Sequence, residues 1–422
     1  MKWSKQQDDA LKAVAAWITD PEKQVFRLFG FAGTGKTSLA RHFAEGVDGR
    51  VMFGAFTGKA AHVLRSKGCH NAATIHSMIY VSKGDHESMI RSLENELANR
   101  VVEIKEGIPK HELEHFEDFL KKIVDEDKQV IVLRAKIERE KLSDDKPLFR
   151  KNPESDVRFA KLIVIDECSM VDEKMGEDLL SFGVKILVLG DPAQLPPVGG
   201  AGYFTENVEP DVMLTDIHRQ ALDSPILSLA TQVRNKERLT LGDYGNCSVI
   251  SQHQLKPSVA MAADQMLVGR NATRRSTNRR SRQLLGRSSD MPELSDRLVC
   301  LGNNHDLGLS NGAIYNIREM HDLDQDSDKV IMSVSPEGDA MLIPLTAHLA
   351  PFRGEDIHWA AKRSAEQFDY GYALTVHKSQ GSQWDNVLLF DESGCFRKDR
   401  YRWLYTGITR AAEKLTIVQM ED

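Results

Sequence analysis

Gly30-Phe31-Ala32-Gly33-Thr34-Gly35-Lys36-Thr37 matches the pattern G-x-x-x-x-G-K-[ST] in full, and its flanks supply the context that pattern needs. The apolar run Val25 to Phe29 predicts a buried strand entering the stretch, and Ser38 to Ala44 predicts a helix leaving it. Gly30, Gly33 and Gly35 free the backbone to turn its N–H groups inward, and the following helix N-terminus favours an anion. With Ala32, Thr34 and Ser38 completing the turn and its exit, the loop can cradle a nucleoside triphosphate. Lys36 would then reach the β- and γ-phosphates, and the Thr37 hydroxyl would ligate Mg²⁺. A glycine-rich turn ahead of a helix is the plainer alternative, and the strand and helix around it argue against that.

Upstream, Ser4 to Trp17 has apolar residues at Ala10, Leu11, Val14 and Trp17 behind a capping serine, which predicts an amphipathic helix. Gln7 near its start either pairs with an adenine edge, giving a preference for ATP, or is a solvated amide. Downstream, Val51 to Ala55 predicts a strand, followed by Thr57-Gly58-Lys59-Ala60-Ala61 and a helix to about Lys67. Strand, loop and helix recur, the signature of a doubly wound parallel sheet whose loops face one crevice, lined here by Thr57 and Lys59. His76, in Ala73-Thr74-Ile75-His76-Ser77, either donates to a phosphate or caps the next helix.

Two further strand tips carry chemistry. Lys161 to Ile165 should be a buried strand ending in Asp166-Glu167, where Asp166 can hold hydrated Mg²⁺ opposite Thr37 and Glu167 can orient or deprotonate a water. Val184 to Leu189 runs into Gly190-Asp191-Pro192-Ala193-Gln194, and the prolines beyond stiffen a loop in which Gln194 can sense a γ-phosphate. Val212 to Leu214 and then His218-Arg219 lead into a helix from Leu222 to Val233, with Arg219 at the join to a second α/β segment. That segment has predicted strands Gln265 to Val268, Val387 to Phe390 and Leu415 to Val418, and a helix Ala272 to Leu285. Arg270, Arg274, Arg275, Arg279, Arg280, Arg282 and Arg287 make this helix strongly basic, with Asn271 and Asn278 beside them, so it reads as a phosphate contact or as a face paired to acids.

Between these segments, about Ser82 to Pro153 turns to dense mixed charge with helical apolar spacing, which predicts an inserted helical subdomain. Leu298 to Pro344 alternates apolar and polar residues between turn signals and predicts a small antiparallel barrel. The 422 residues allow two to four compact units, and a net charge of -7 argues against a uniformly basic coat, so any polyanion site must be local. Five scattered cysteines suggest neither a zinc ribbon nor a disulfide framework, and no apolar run suggests export or membrane insertion. A reducing, cytoplasmic setting is expected, the host cytoplasm if the chain is phage-encoded.

In this order the segments resemble the superfamily 1 DNA helicases, in particular the RecD-like branch with its phage Dda-like members. The residues carrying the resemblance are Gln7, Gly30 to Thr37, Thr57 to Ala61, Ala73 to Ser77, Asp166-Glu167, Gly190 to Gln194, His218-Arg219, His377-Lys378-Ser379-Gln380-Gly381 and Thr409-Arg410. The resemblance implies an α/β fold: two RecA-like parallel-sheet domains, an inserted helical subdomain and a small SH3-like β-barrel. Residues 1–80 and 154–220 would form the first domain, 81–153 the strand-separating insert, 221–297 and 360–422 the second domain, and 298–359 the barrel. ATP and Mg²⁺ would bind between the domains, with Lys36, Glu167, Gln194, Arg219 and Arg410 acting on the γ-phosphate and Gly381 beside the nucleotide. Thr57, Lys59, His76, Asn271, Thr375, His377 and Ser379 would line a groove for single-stranded DNA. Forked duplex DNA is the implied substrate, travel is 5′ to 3′, and the chain would act as a monomer that meets a single-strand-binding or replication protein. The insert is longer and more helical than a hairpin wedge, which leaves Tyr80 and Phe116 as candidates for splitting the duplex.

Overall fold

Continuous apolar runs, rather than alternating ones, mark the strands of the first sheet, as burial on both faces requires. In chain order the strands are β1 (Val25–Gly30), β2 (Val51–Ala55) and β3 (Ala72–Thr74), then β4 (Tyr80–Ser82) and β5 (Phe149–Lys151), then β6 (Leu162–Ile165), β7 (Lys185–Gly190) and β8 (Val212–Leu214). This architecture comes from a computed structural model. It describes all residues except 1–2, 107–123, 142–148, 197–201, 206–207, 217–223, 288, 290, 305–306, 325–327, 340, 358–360, 362–363 and 421–422. Six strands form one parallel sheet in the order β3-β2-β6-β7-β1-β8. Val14 and Trp17 of the helix Lys5–Ile18 pack with Phe26, Leu28, Val164 and Leu187 in its core.

The second lobe holds β9 (Gly242–Tyr244), β10 (Cys247–Ser251) and β11 (Gln265–Val268). The chain then runs through β12 (Arg297–Cys300), β13 (Ile314–Asp324), β14 (Lys329–Pro336), β15 (Ile343–His348) and β16 (Phe368–Tyr370). It returns with β17 (Ala373–Thr375), β18 (Trp384–Asp391) and β19 (Ala411–Gln419). The sheet order is β17-β11-β18-β19-β10-β9, parallel except for the edge hairpin of β9 and β10. The alternating stretch forms a five-stranded antiparallel sheet, β15-β14-β13-β12-β16, whose apolar core it shares with Met266, Ala373, Leu388 and Val418 of the second lobe's parallel sheet. Sequence reading misses β9 and β10, because Ser248 and Ser251 break the apolar run of a strand so short.

Residues His76–Asp156 make a separate compact unit. Within it β4 pairs antiparallel with β5, and the helices Lys83–Glu106 and Lys128–Lys141 meet through Leu93, Leu133 and Ile137. Tyr80 sits opposite Lys151 in β4, its ring 5.4 Å from that of His76, whereas Phe116 lies outside the described residues.

The basic helix, Asn271–Leu284, uses most of its charge internally. Arg270 pairs with Glu392, Arg274 with Asp369, Arg282 with Asp296 and Glu293, and Arg287 with Asp296. Of the two readings of the segment, the face paired to acids holds for these four; Arg275, Arg279 and Arg280 have no carboxylate partner among the described residues. Asp296 is wholly buried and also accepts from the Tyr372 hydroxyl at 2.8 Å and the Glu293 N–H at 2.7 Å. Asp296→Ala strands the buried Arg282 guanidinium and the half-buried one of Arg287 and is expected to cost about 3 to 5 kcal/mol in urea unfolding; a loss under about 1 kcal/mol would mean that the arginines find other partners.

Candidate active site

Strands β6, β7 and β1 are adjacent and parallel, so register alone brings the loops at their carboxyl ends to one rim. Those loops carry Asp166-Glu167, Asp191 to Gln194, and Gly30 to Thr37. Gly33 and Gly35 have φ of 79° and 82°, a left-handed conformation open to glycine at little cost. A Cβ on Gly30 would lie 2.6 Å from Thr34 Oγ1. Lys36 Nζ donates to the carbonyls of Gly30 at 2.7 Å and Phe31 at 3.2 Å.

The Thr37 hydroxyl donates to Asp166 Oδ2 at 2.9 Å, and Asp166 Oδ1 accepts from the Glu167 N–H at 2.9 Å. Glu167 has φ 53° and ψ 45°, a conformation that costs a residue with a Cβ about 1 to 3 kcal/mol and persists where the surroundings enforce it. Burial lifts the Asp166 carboxyl above its usual range and the charge of Glu167 adds to this, while the Thr37 hydrogen bond and Lys36 oppose it. Two hard oxygen donors beside a phosphate cradle fit Mg²⁺, which takes one or two protein ligands and completes its shell with phosphate and water. A dication there would also relieve the crowding of the two carboxylates.

A cavity of about 330 Å³ opens between the two lobes. The first lobe lines it with Ala32, Gly33, Gly35, Lys36, Thr37, Ser38, Asp166, Glu167 and Gln194. The second contributes Gly381, Ser382, Gln383, Thr409 and Arg410. Gly381, at φ 73°, permits the approach, since a Cβ there would lie 2.8 Å from Ala60 Cβ. Arg410 is 5% exposed, and its guanidinium donates to Thr406 O at 3.1 Å, Ser382 O at 3.2 Å and Thr409 Oγ1 at 3.2 Å. Among the described residues no carboxylate pairs with it. A buried cation held by neutral acceptors beside an anion cradle lacks its counter-charge. Gln194 is also buried, and its Oε1 has no hydrogen-bond partner among the described residues.

Residues 2–254 match the AAA domain family, and residues 370–418 match the UvrD-like helicase C-terminal domain. The chain belongs to the AAA domain family. It is 25% identical over 267 residues to the ATP-dependent RecD2 DNA helicase of Deinococcus radiodurans, covering 60% of this chain and 35% of that protein. It is 29% identical over 205 residues to the uncharacterized protein R530 of Acanthamoeba polyphaga mimivirus, covering 46% of this chain and 33% of that one. The chain thus spans about a third of the length of these relatives. Among solved structures, two coordinating Pif1 helicases at forked double-stranded DNA match with a TM-score of 0.56 and 16% identity, over 99% of this chain and 92% of that one. Bacteroides Pif1 in complex with ADP-AlF3 and single-stranded DNA matches with a TM-score of 0.51 and 17% identity, over 99% and 92%. At such identities the likeness shows the fold, two RecA-like α/β lobes.

Other expected site residues make contacts within the protein. Gln7 is buried, donating to Thr34 O at 3.0 Å and accepting from the Ser4 N–H at 3.0 Å, so its amide braces the loop and caps a helix rather than lining the nucleotide cavity. Arg219 lies outside the described residues. Thr57 caps the helix Gly58–Ser66 through the Ala60 N–H. Lys59 packs 4.0 Å over the Trp384 ring, and burial pushes its pKa down to about 8. His76 belongs to the compact unit His76–Asp156. Asn271 is exposed at the start of its helix and accepts from Arg274 Nε at 3.2 Å. Thr375 Oγ1 accepts from the Lys378 N–H at 3.3 Å, and burial lowers the pKa of His377, so its imidazole is neutral near pH 7. Ser379 is corrected: it is fully buried, its hydroxyl donating to Val376 O at 2.8 Å, and it supports the turn from inside instead of facing a groove.

Sequence reasoning passed over Ser382 and Gln383 in the cavity wall, and Tyr405 beside it. Thr409, Asp191 and Gln380 stand inside motifs already singled out, but nothing local marks their partners.

Proposed function

We propose that the chain hydrolyses ATP between its lobes and uses the cycle to move 5′ to 3′ along single-stranded DNA, unwinding a forked duplex by strand exclusion. The observation that carries this reading is the division of one polar cavity between lobes: loop, carboxylates and Gln194 from one, Arg410 from the other. In this reading the loop amides and Lys36 hold the β- and γ-phosphates, and Thr37 and Asp166 hold Mg²⁺. The ion would neutralise charge developing on the phosphate oxygens. Glu167 takes a proton from the attacking water as its oxygen bonds to the γ-phosphorus and the bond to the β-phosphate oxygen breaks. Gln194 positions that water, and Arg410, joined by Arg219, offsets charge on the γ-phosphate.

A cavity that needs both lobes makes hydrolysis sensitive to their separation. Thr57, Lys59, Asn271, Thr375, His377 and His76 would grip phosphates without reading bases, as movement along any sequence requires. The insert 81–153 would exclude the second strand, and 298–359 would serve as the SH3-like barrel. Forked duplexes with a 5′ or a 3′ single-stranded tail test the proposal. Strand release from the 5′-tailed fork alone supports it. ATP turnover without release from either fork instead makes the chain a switch that clamps nucleic acid.

A further inference from the structure

The second lobe reaches into the nucleotide loop through one hydroxyl. Tyr405 Oη accepts from the Ala32 N–H at 3.0 Å and donates to Asp191 Oδ2 at 2.7 Å, joining groups 373 and 214 residues apart in sequence. Both Tyr405 and Asp191 are buried, at 2% exposure each. The direction of the chain is fixed, since the amide can only donate and the carboxylate can only accept.

Each end of this bridge touches a group assigned to the chemistry. Asp191 shapes the turn that carries Gln194, its Oδ1 accepting from the Ala193 N–H at 3.0 Å and its carbonyl from the Gln194 N–H at 3.1 Å. The next residue on the Tyr405 helix, Thr406, accepts from the Leu195 N–H at 3.0 Å, and its carbonyl holds Arg410 Nε at 3.1 Å. Gln380 Nε2 adds a bond to Leu195 O at 2.9 Å. The placement of Arg410 against the phosphate loop is therefore set one helical turn earlier, where Tyr405 and Thr406 meet the Gln194 loop.

We infer that Tyr405 is a positioning residue that ties the phosphate loop to the Gln194 turn and so aligns Arg410 on the γ-phosphate. This rests on the proposed role of Arg410, and it adds that the hydroxyl, rather than the ring, does the aligning. A ring that only filled the core would tolerate phenylalanine. Removing the hydroxyl leaves the Ala32 N–H and a buried carboxylate oxygen each short of a partner.

The test is a cycle of Tyr405→Phe and Arg410→Ala, measured as single-strand-stimulated ATP turnover with kcat and KM resolved. Tyr405→Phe should lower kcat about tenfold, with KM for ATP within about twofold, if alignment and not ground-state binding is lost. On the Arg410→Ala background the same change should cost less than about twofold, because the group it aligns is gone. Thr406→Val, which cuts the neighbouring bond, should repeat this pattern, and Thr406→Ser should restore kcat. A Tyr405→Phe enzyme with wild-type kcat overturns the inference alone, as does an equal loss on both backgrounds. A wild-type chain without nucleic-acid-stimulated turnover overturns the reading of the site as well.

Discussion

Arg410→Ala is expected to lower ATP turnover by about 10³-fold or more, the range seen when a phosphate-loop enzyme loses the arginine that meets the γ-phosphate. The structure gives the reason in electrostatic terms. The guanidinium is buried at the cavity wall with neutral acceptors and, among the described residues, no acid beside it, so no described carboxylate consumes its charge. Folding should survive, because the substitution removes a buried charge instead of stranding one. Arg410→Lys keeps the charge but loses the planar fork and the reach to Ser382 and Thr409, so it should recover little of the rate. Steady-state turnover at saturating ATP checks both; a loss of only twofold or so in Arg410→Ala would mean that the charge acts elsewhere.

Glu167→Gln should leave nucleotide binding intact and reduce turnover by about 10² to 10⁴, the usual contribution of a general base. The amide has nearly the shape of the carboxylate but cannot accept the proton of the attacking water. Two features separate this residue from its neighbour. Asp166 already accepts from Thr37 and from the Glu167 N–H, whereas Glu167 stands in a left-handed conformation at the tip of β6. Removing the Glu167 charge also removes a repulsion that raises the Asp166 carboxyl, so Mg²⁺-dependent nucleotide affinity should not fall. Equilibrium binding of a fluorescent nucleotide together with turnover decides this: weak binding in the variant would assign Glu167 to the metal, and full turnover would remove it as the base.

What could be read from sequence depended on how local the physics is. Gly30 to Thr37, Asp166-Glu167 and Gly190 to Gln194 are short runs at the ends of apolar strands, and a parallel sheet gathers such ends by its topology alone. Their convergence was legible for that reason. Arg410 could be placed only by resemblance, since no local pattern says which sheet a lone arginine will face.

Long-range partners account for what single segments could not decide, and local turns for the rest. The basic run around Arg274 and Arg282 reads equally as a polyanion site or as a face paired to acids, and Asp296, Asp369 and Glu392, distant in sequence, decide for the second at these positions. Resemblance places Ser379 in the strand groove, yet its backbone turn puts the hydroxyl inside. Tyr405 looks like one more buried aromatic until Ala32 and Asp191 arrive from the other lobe. Gln7 shows the same limit on a shorter scale, because the amide that could meet an adenine is drawn to Thr34 and Ser4.

The claim on which the account turns is that closure of the two lobes on ATP is coupled to a polynucleotide strand. The most direct measurement is the ATP hydrolysis rate of the wild-type chain titrated with single-stranded DNA, with a single-stranded RNA of the same sequence in parallel. A saturable rise with DNA, abolished in Arg410→Ala, is the predicted result. A rate that neither strand changes, or a rise that Arg410→Ala retains in full, would contradict it.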